Sequence, residues 1–210
     1  MVNHAEAKAR VPIPPDKVYL NPIAQIPYGV QPAHVFNAMR DFTKWLGLVN
    51  GSGQVARLET MLMPANFSSI VGEFMTSTIP KYCPTITKNH FHNGHPDMIP
   101  AGMFSNDSVR HAALGIEVKA SRKPSGWQGH NPEDTWLMVF MFKANRPVDE
   151  ANDVPPFPFQ FLKVTGAELL KDDWQFSGRS ETSRRTITAA VKRSGWEKME
   201  ANWIYRDTST

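Results

Sequence analysis

Apolar and polar residues follow two different periods along this 210-residue chain. Up to about residue 79 the period is helical. Val35, Met39, Phe42, Leu46 and Val49 recur at spacings of four, three, four and three, which lines one face of an α-helix. That spacing predicts a helix from Pro32 or Ala33 to Leu48, stopped by the turn Asn50-Gly51-Ser52-Gly53. A second helical region begins near Gln54, carries Val55, Leu58 and Leu62 on one face, and is interrupted at Pro64. It resumes through Phe67, Ile70, Val71, Phe74 and Met75 and closes at Ile79-Pro80. Beyond residue 96 the period shortens to two. Asp97 to Pro100 reads as a short strand, Gly102 to Asp107 as a turn, and His111 to Ser121 as a strand with Ile116 and Val118 turned to a core. Thr135 to Phe142 is apolar on both faces, as expected of a buried central strand. Phe159 to Val164 gives a further strand, and Thr165-Gly166-Ala167-Glu168 begins a short helix through Leu170.

The segments between these elements have their own character. Six prolines in the first 32 residues predict an extended arm, packed against the domain or against a partner subunit. Residues 81–96 are irregular and rich in histidine, and Asn145 to Pro158 is a surface excursion rich in proline and acid. The division expected is an arm over residues 1–32 and a single domain over 33–210, with a basic helical region at its C-terminal end. From Ser177 to Lys198 that region sets Arg179, Arg184, Arg185, Lys192, Arg193 and Lys198 against Glu181 and Glu197.

Composition narrows the picture. A chain that is 41% hydrophobic can bury one substantial core. A net charge of +3 and a pI near 9.0 fit an anionic partner. A lone cysteine, Cys83, excludes an internal disulfide framework and any multi-cysteine zinc site, and fits a reducing compartment. The start of the chain lacks an apolar signal core, and Leu137 to Phe142 is too short to span a bilayer, so a soluble, cytoplasmic protein with no membrane partner is expected. No Gly-x-x-x-x-Gly-Lys-Ser/Thr is present, which argues against a nucleotide cofactor.

The chemistry lies where an acid and a lysine share a strand face. With Ile116 and Val118 inward, Glu117 and Lys119 stand side by side on the other face. Phosphodiester hydrolysis needs an activated water and neutralisation of charge on the phosphate, which carboxylates holding a hard divalent cation can supply. Pro96-Asp97, then about twenty residues, then Glu117-Val118-Lys119 on an apolar strand between the small Gly115 and Ala120 resembles the PD-(D/E)xK motif of the restriction-endonuclease-like nucleases. The resemblance covers mainly residues 54–165. It implies an α/β fold, a three-layer α/β/α sandwich around a mixed sheet, and magnesium-dependent cleavage of double-stranded DNA that leaves a 5′-phosphate.

The resemblance also implies roles. Asp97, Glu117 and the backbone carbonyl of Val118 hold Mg2+, and Lys119 orients or helps to deprotonate the attacking water. In many members a glutamate from the preceding helix joins the site. Glu59 is the first choice here, because on a helical wheel it lies about 40 degrees from Val55 inside an apolar stripe, where an unpaired carboxylate is costly. An ion pair with Arg or Lys is the alternative for Glu59, and Glu73 is second choice for the site. A stand-alone chain resembles a Type II restriction endonuclease acting as a homodimer. A structure-specific repair, phage or junction-resolving nuclease shares the same metal site, and a catalytically inactive DNA-binding module is the reading from another class.

DNA contacts are expected from two regions. After the strand, Ser121, Arg122 and Lys123 suit phosphates, Gln128, His130 and Asn131 offer groups for base edges, and Trp127 offers a ring to wedge or stack. Farther on, Arg184, Arg185, Lys192 and Arg193 suit the DNA backbone. The cluster His90, His92 and His95 points to a ββα-metal site as a competitor, but no matching downstream histidine pair accompanies it, so His95 is expected near Asp97 or a phosphate.

Overall fold

Proline in the first turn, where a missing N–H breaks no helical bond, starts both long helices. The computed structural model describes residues 4–129, 132–176 and 189–209. Helix α1 (His4–Ala9) is short, α2 runs Pro32–Gly51, α3 is a single turn (Leu58–Met61), and α4 runs Pro64–Tyr82. Val35, Met39, Phe42 and Leu46 of α2 are fully buried, as are Phe67, Val71, Met75 and Ile79 of α4, so each helix turns one stripe inward. Helix α4 outlasts the expected stop at Pro80. A proline this near the end removes one N–H from the ladder, and the chain still closes with Cys83 donating to the carbonyl of Ile79 at 3.2 Å.

The strands are β1 (Ile86–Lys88), β2 (Met98–Pro100), β3 (Ile116–Ser121), β4 (Gln128–Gly129), β5 (Thr135–Lys143), β6 (Gln160–Leu169), β7 (Trp174–Phe176) and β8 (Ala189–Val191); helix α5 (Arg193–Ala201) and β9 (Trp203–Arg206) follow. Six form one mixed sheet in the order β1-β2-β3-β5-β6-β9, parallel only between β3 and β5. The other three form a small sheet, β4-β8-β7. The mixed α/β fold expected from the pattern is present. Two local expectations are corrected. Residues 165–170 are not a helix: 165–169 are the second half of β6, because pairing with β5 runs from Thr135 opposite Leu169 to Lys143 opposite Gln160 and outweighs local preference. Gly166 fits there because a Cβ would lie 2.3 Å from the Trp136 ring. Part of the stretch read as irregular, Ile86–Lys88, is an edge strand.

Strand β5 is apolar on both faces because it feeds two cores. Met138, Phe140 and Phe142 join Ile116 and Val118 of β3, Phe161 and Val164 of β6, and the stripes of α2 and α4. Leu137, Val139 and Met141 face the opposite way, into a core made with Trp127 just before β4, Trp174 and Val191 of the small sheet, and Met199 of α5. The third layer is therefore a small sheet with one helix.

The proline-rich arm packs on its own domain. Ile13 donates to the carbonyl of Phe159 (2.8 Å) and Asn21 to that of Ile204 (2.9 Å), while Leu20 bridges to Tyr205 beside β9. A buried charge network anchors its first part. Arg57 reaches Glu59 (2.9 Å), Asn145 (2.9 Å) and Glu6 of α1 (3.1 Å), and Asn50 donates to the second oxygen of Glu59 at 3.0 Å.

Removing one partner of such a pair leaves the other buried and uncompensated. Arg57→Ala is expected to cost about 3–5 kcal/mol in urea denaturation. Glu6→Ala, whose side chain is 27% exposed, should cost no more than about 1 kcal/mol.

Candidate active site

Strands β2 and β3 share a single registered pair, Met98 with Ile116, and then part. Gly115 lies at the fork with φ near +145°, and a Cβ there would stand 2.3 Å from both the Met98 carbonyl oxygen and the Pro96 ring. Beyond the fork the N–H of Val118 has lost its strand partner, and Asp97 replaces it: the Asp97 carboxylate accepts from Val118 N at 2.8 Å. An extended residue directs its N–H and C=O toward the same neighbour, so the Val118 carbonyl also opens toward Asp97.

Glu117 and Lys119 project from the other face of β3, opposite Leu137 and Val139 of β5. Lys119 donates to one carboxylate oxygen of Glu117, and His95 Nδ1 lies 3.0 Å from the other. The far nitrogen of His95 is 2.8 Å from Glu133, out of line for a hydrogen bond, so charge attraction rather than a hydrogen bond joins them. His111 stacks on the His95 ring at 5.4 Å.

The charges are strongly coupled. Burial first, and then the neighbouring Glu117 carboxylate, push Asp97 up to about 7 from 3.8. Burial also works against ionised Glu117, but the hydrogen bond from His95 and the charge of Lys119 outweigh it and pull the group down to about 2. Burial opposes the ammonium of Lys119, and Glu117 and Asp97 overcome that, holding its pKa above the ordinary lysine value. In this arrangement Lys119 is a cation near neutral pH. A groove of about 910 Å³, whose lining includes Glu73, Lys88, His92, Asp97, Glu117 and Lys119, opens onto the cluster. Behind it, Glu117, His95, Arg110, Glu133 and Trp174 help to line a smaller cavity of about 260 Å³.

No protein-family model, curated protein or solved structure matches the chain. The site is therefore read from its own chemistry. Among the described residues no group of three or more His, Cys, Asp or Glu is arranged to hold a metal ion. Two carboxylates and a carbonyl still make a hard-oxygen donor set of the kind that binds magnesium together with several waters. Asp97 is raised first by burial and then by the Glu117 carboxylate, and a cation beside the pair would offset both. The residues fit such an ion, with the condition that Lys119 and His95 already engage both oxygens of Glu117.

The structure brings Asp97, Glu117, Val118 and Lys119 together, with His95 beside them. It sends others elsewhere. Glu59 is a correction: it is wholly buried and spent on Arg57 and Asn50. Its apolar setting was real, but residues 54–57 are not helical, so its neighbour is the arginine two positions before it. Glu73 is the helix glutamate on the groove, paired with Lys88 at 2.6 Å. Arg122, expected on phosphate, instead lies over the Phe67 and Phe142 rings and donates to the carbonyls of Pro64, Ala144 and Asn145. Trp127, expected to wedge or stack, is buried in the second core with its Nε1 donating to the Lys123 carbonyl. Ser121 accepts from the Lys123 backbone, while the Lys123 and Gln128 side chains are exposed. Lys192 donates to the Asp172 carbonyl and Arg193 pairs with Glu197, both at the surface. His130, Asn131, Arg184 and Arg185 lie outside the described residues. Sequence reasoning missed Glu133 and His111. Glu133 has no local signal, since it meets His95 only through the fold.

The raised Asp97 sets a pH dependence. Its contribution to stability is complete below 3.8 and is lost as pH rises through about 7, whereas that of Glu117, depressed from 4.5, is lost only as pH falls toward about 2. Near pH 8 without divalent ions, Asp97→Asn should be more stable than wild type by on the order of 2 kcal/mol, allowing for solvent in the groove, with the difference vanishing near pH 4. Magnesium near pH 8 should raise the melting temperature of the wild type and not that of Asp97→Asn. Thermal denaturation across pH, with and without the metal, reads both.

Proposed function

We propose that this protein is a magnesium-dependent endonuclease hydrolysing phosphodiester bonds of double-stranded DNA, on a restriction-endonuclease-like α/β/α sandwich whose third layer is α5 with the small sheet. The observation that carries this reading is the convergence of Asp97, Glu117 and Lys119 where β2 and β3 part, at the wall of a groove open to solvent. Asp97, Glu117 and the Val118 carbonyl would hold the ion, which when bound supplies charge neutralisation at the phosphate and a more acidic water.

The chain's own groups do the rest. Lys119, held as a cation, donates a hydrogen bond to the attacking water or to a non-bridging phosphate oxygen and offsets charge building on phosphorus. His95 fixes the second oxygen of Glu117, so that carboxylate cannot swing away from β3. The water oxygen bonds to phosphorus as the bond to the 3′ oxygen breaks; the attacking water gives up a proton to solvent and the leaving oxygen takes one from solvent, leaving a 5′-phosphate and a 3′-hydroxyl. Because the described residues of one chain offer one such site, a homodimer is the arrangement proposed for cutting both strands, and sequence-specific Type II restriction in the cytoplasm is the form proposed.

Purified protein incubated with supercoiled plasmid and magnesium should give discrete fragments. Lys119→Ala and Asp97→Ala should lower the cleavage rate by about 10²–10⁴-fold while DNA binding is largely kept. Cleavage confined to branched DNA would replace restriction with a structure-specific role. The engagement of both Glu117 oxygens favours one second reading, an inactive DNA-binding module. In that case wild type binds duplex and neither variant differs from it in any nicking assay.

A further inference from the structure

We propose that the loop Asn89–His95 is the DNA-contacting wall of the groove, with Phe91 stacking on a base beside the scissile phosphate and His90 and His92 meeting the backbone. This rests on reading the groove as a DNA site. The stretch after β3, where contacts were expected, turns two of its best-suited side chains inward, since Arg122 is spread over two phenylalanine rings and Trp127 is core. The Asn89–His95 loop, by contrast, presents its side chains to the groove. It lines the same groove of about 910 Å³ as Asp97, Glu117 and Lys119.

The loop is stiff at its base and open at its tip. Asn89, 6% exposed, accepts from the backbone of Phe91 and of Val109 (both 3.1 Å) and donates to the carbonyls of Pro96 (3.0 Å) and Val109 (2.8 Å). Gly94 packs so tightly on this brace that a Cβ would fall 2.5 Å from Asn89 Nδ2 and 2.6 Å from the Val109 carbonyl oxygen. His90 N donates to the Asp107 carbonyl at 2.9 Å, tying the loop to the turn behind it. Against this support Phe91 is held 42% exposed between two histidines. An exposed aromatic on a braced backbone, beside donors and acceptors, suits a nucleic acid base, because stacking tolerates any sequence and the backbone is already ordered before binding.

The test uses the full chain in EDTA, with anisotropy of a fluorescein-labelled duplex and the emission of a 2-aminopurine placed along it. Phe91→Ala is expected to weaken duplex binding by about tenfold, leaving the slope of affinity against salt unchanged. Phe91→Trp should restore affinity, and melting temperatures should stay within about one degree, as befits a surface side chain. Wild type should change the emission of 2-aminopurine at one or two positions, and Phe91→Ala should not. Affinity and emission unaltered in Phe91→Ala would overturn the proposal, as would absence of duplex binding by wild type. A Phe91-dependent affinity in a wild type that cuts nothing with magnesium upholds the loop and defeats the nuclease. Cleavage by a wild type whose binding ignores Phe91 does the reverse.

Discussion

A carboxylate stands in for a strand at the centre of this protein. Where β2 leaves β3, the backbone N–H of Val118 needs an acceptor, and Asp97, the residue just before β2, supplies it. Everything at the cleft follows from that substitution. The fork must be narrow, which Gly115 permits; the open edge must be lined by polar groups, which Asp97 and the Val118 carbonyl provide; and the acid must lie close to Glu117, which forces the pair to share charge with Lys119 and His95. Glu117 and Lys119 stand on β3 itself, and Asp97 is tied to the same strand through the Val118 N–H.

The sheet can hold it because β5 is gripped from both faces. Parallel pairing with β5 fixes the register of β3 residue by residue from Ile116 to Ser121. A slip of one residue would bury Glu117 under α4 and turn Val118 outward. The two cores on either side of β5 oppose that slip with apolar area on both faces. Arg122, spread over Phe67 and Phe142, closes the end of β3 onto the start of α4. The guanidinium that looked suited to phosphate serves instead as a clamp on the strand carrying the charged pair.

How much of this could be read from the sequence depends on how local each cause is. The stripes of α2 and α4, the two-faced β5, and the meeting of Asp97 with Glu117 and Lys119 were legible, because period and spacing act within a few residues or along a single strand. The fate of Glu59 was half legible: its apolar setting could be seen, but not that Arg57 would reach it across a non-helical turn. Arg122 and Trp127 carry both apolar bodies and polar tips, so only the tertiary structure decides which end is used. The strand at 165–169 was misread because Gly-Ala-Glu has no strong local preference and β5 imposes one. Glu133 and His111 reach His95 through folding alone, and nothing in their immediate sequence marks them.

The arm along β9 carries one more meaning. A sheet ends in rows of unpaired N–H and C=O groups, and such an edge invites any other extended chain to add to it. Here residues 20–25 lie over the β9 side, with Leu20 bridging Tyr205, Asn21 bonded to the backbone at Ile204 and Trp203, and Gln25 clasped by Asn202. The chain thus covers that border of its sheet with its own arm, in which Pro22 has no N–H to offer onward. Growth of the sheet from one molecule into the next by extension of β9 is thereby blocked, which leaves β1 as the edge of the six-stranded sheet that the arm does not cover.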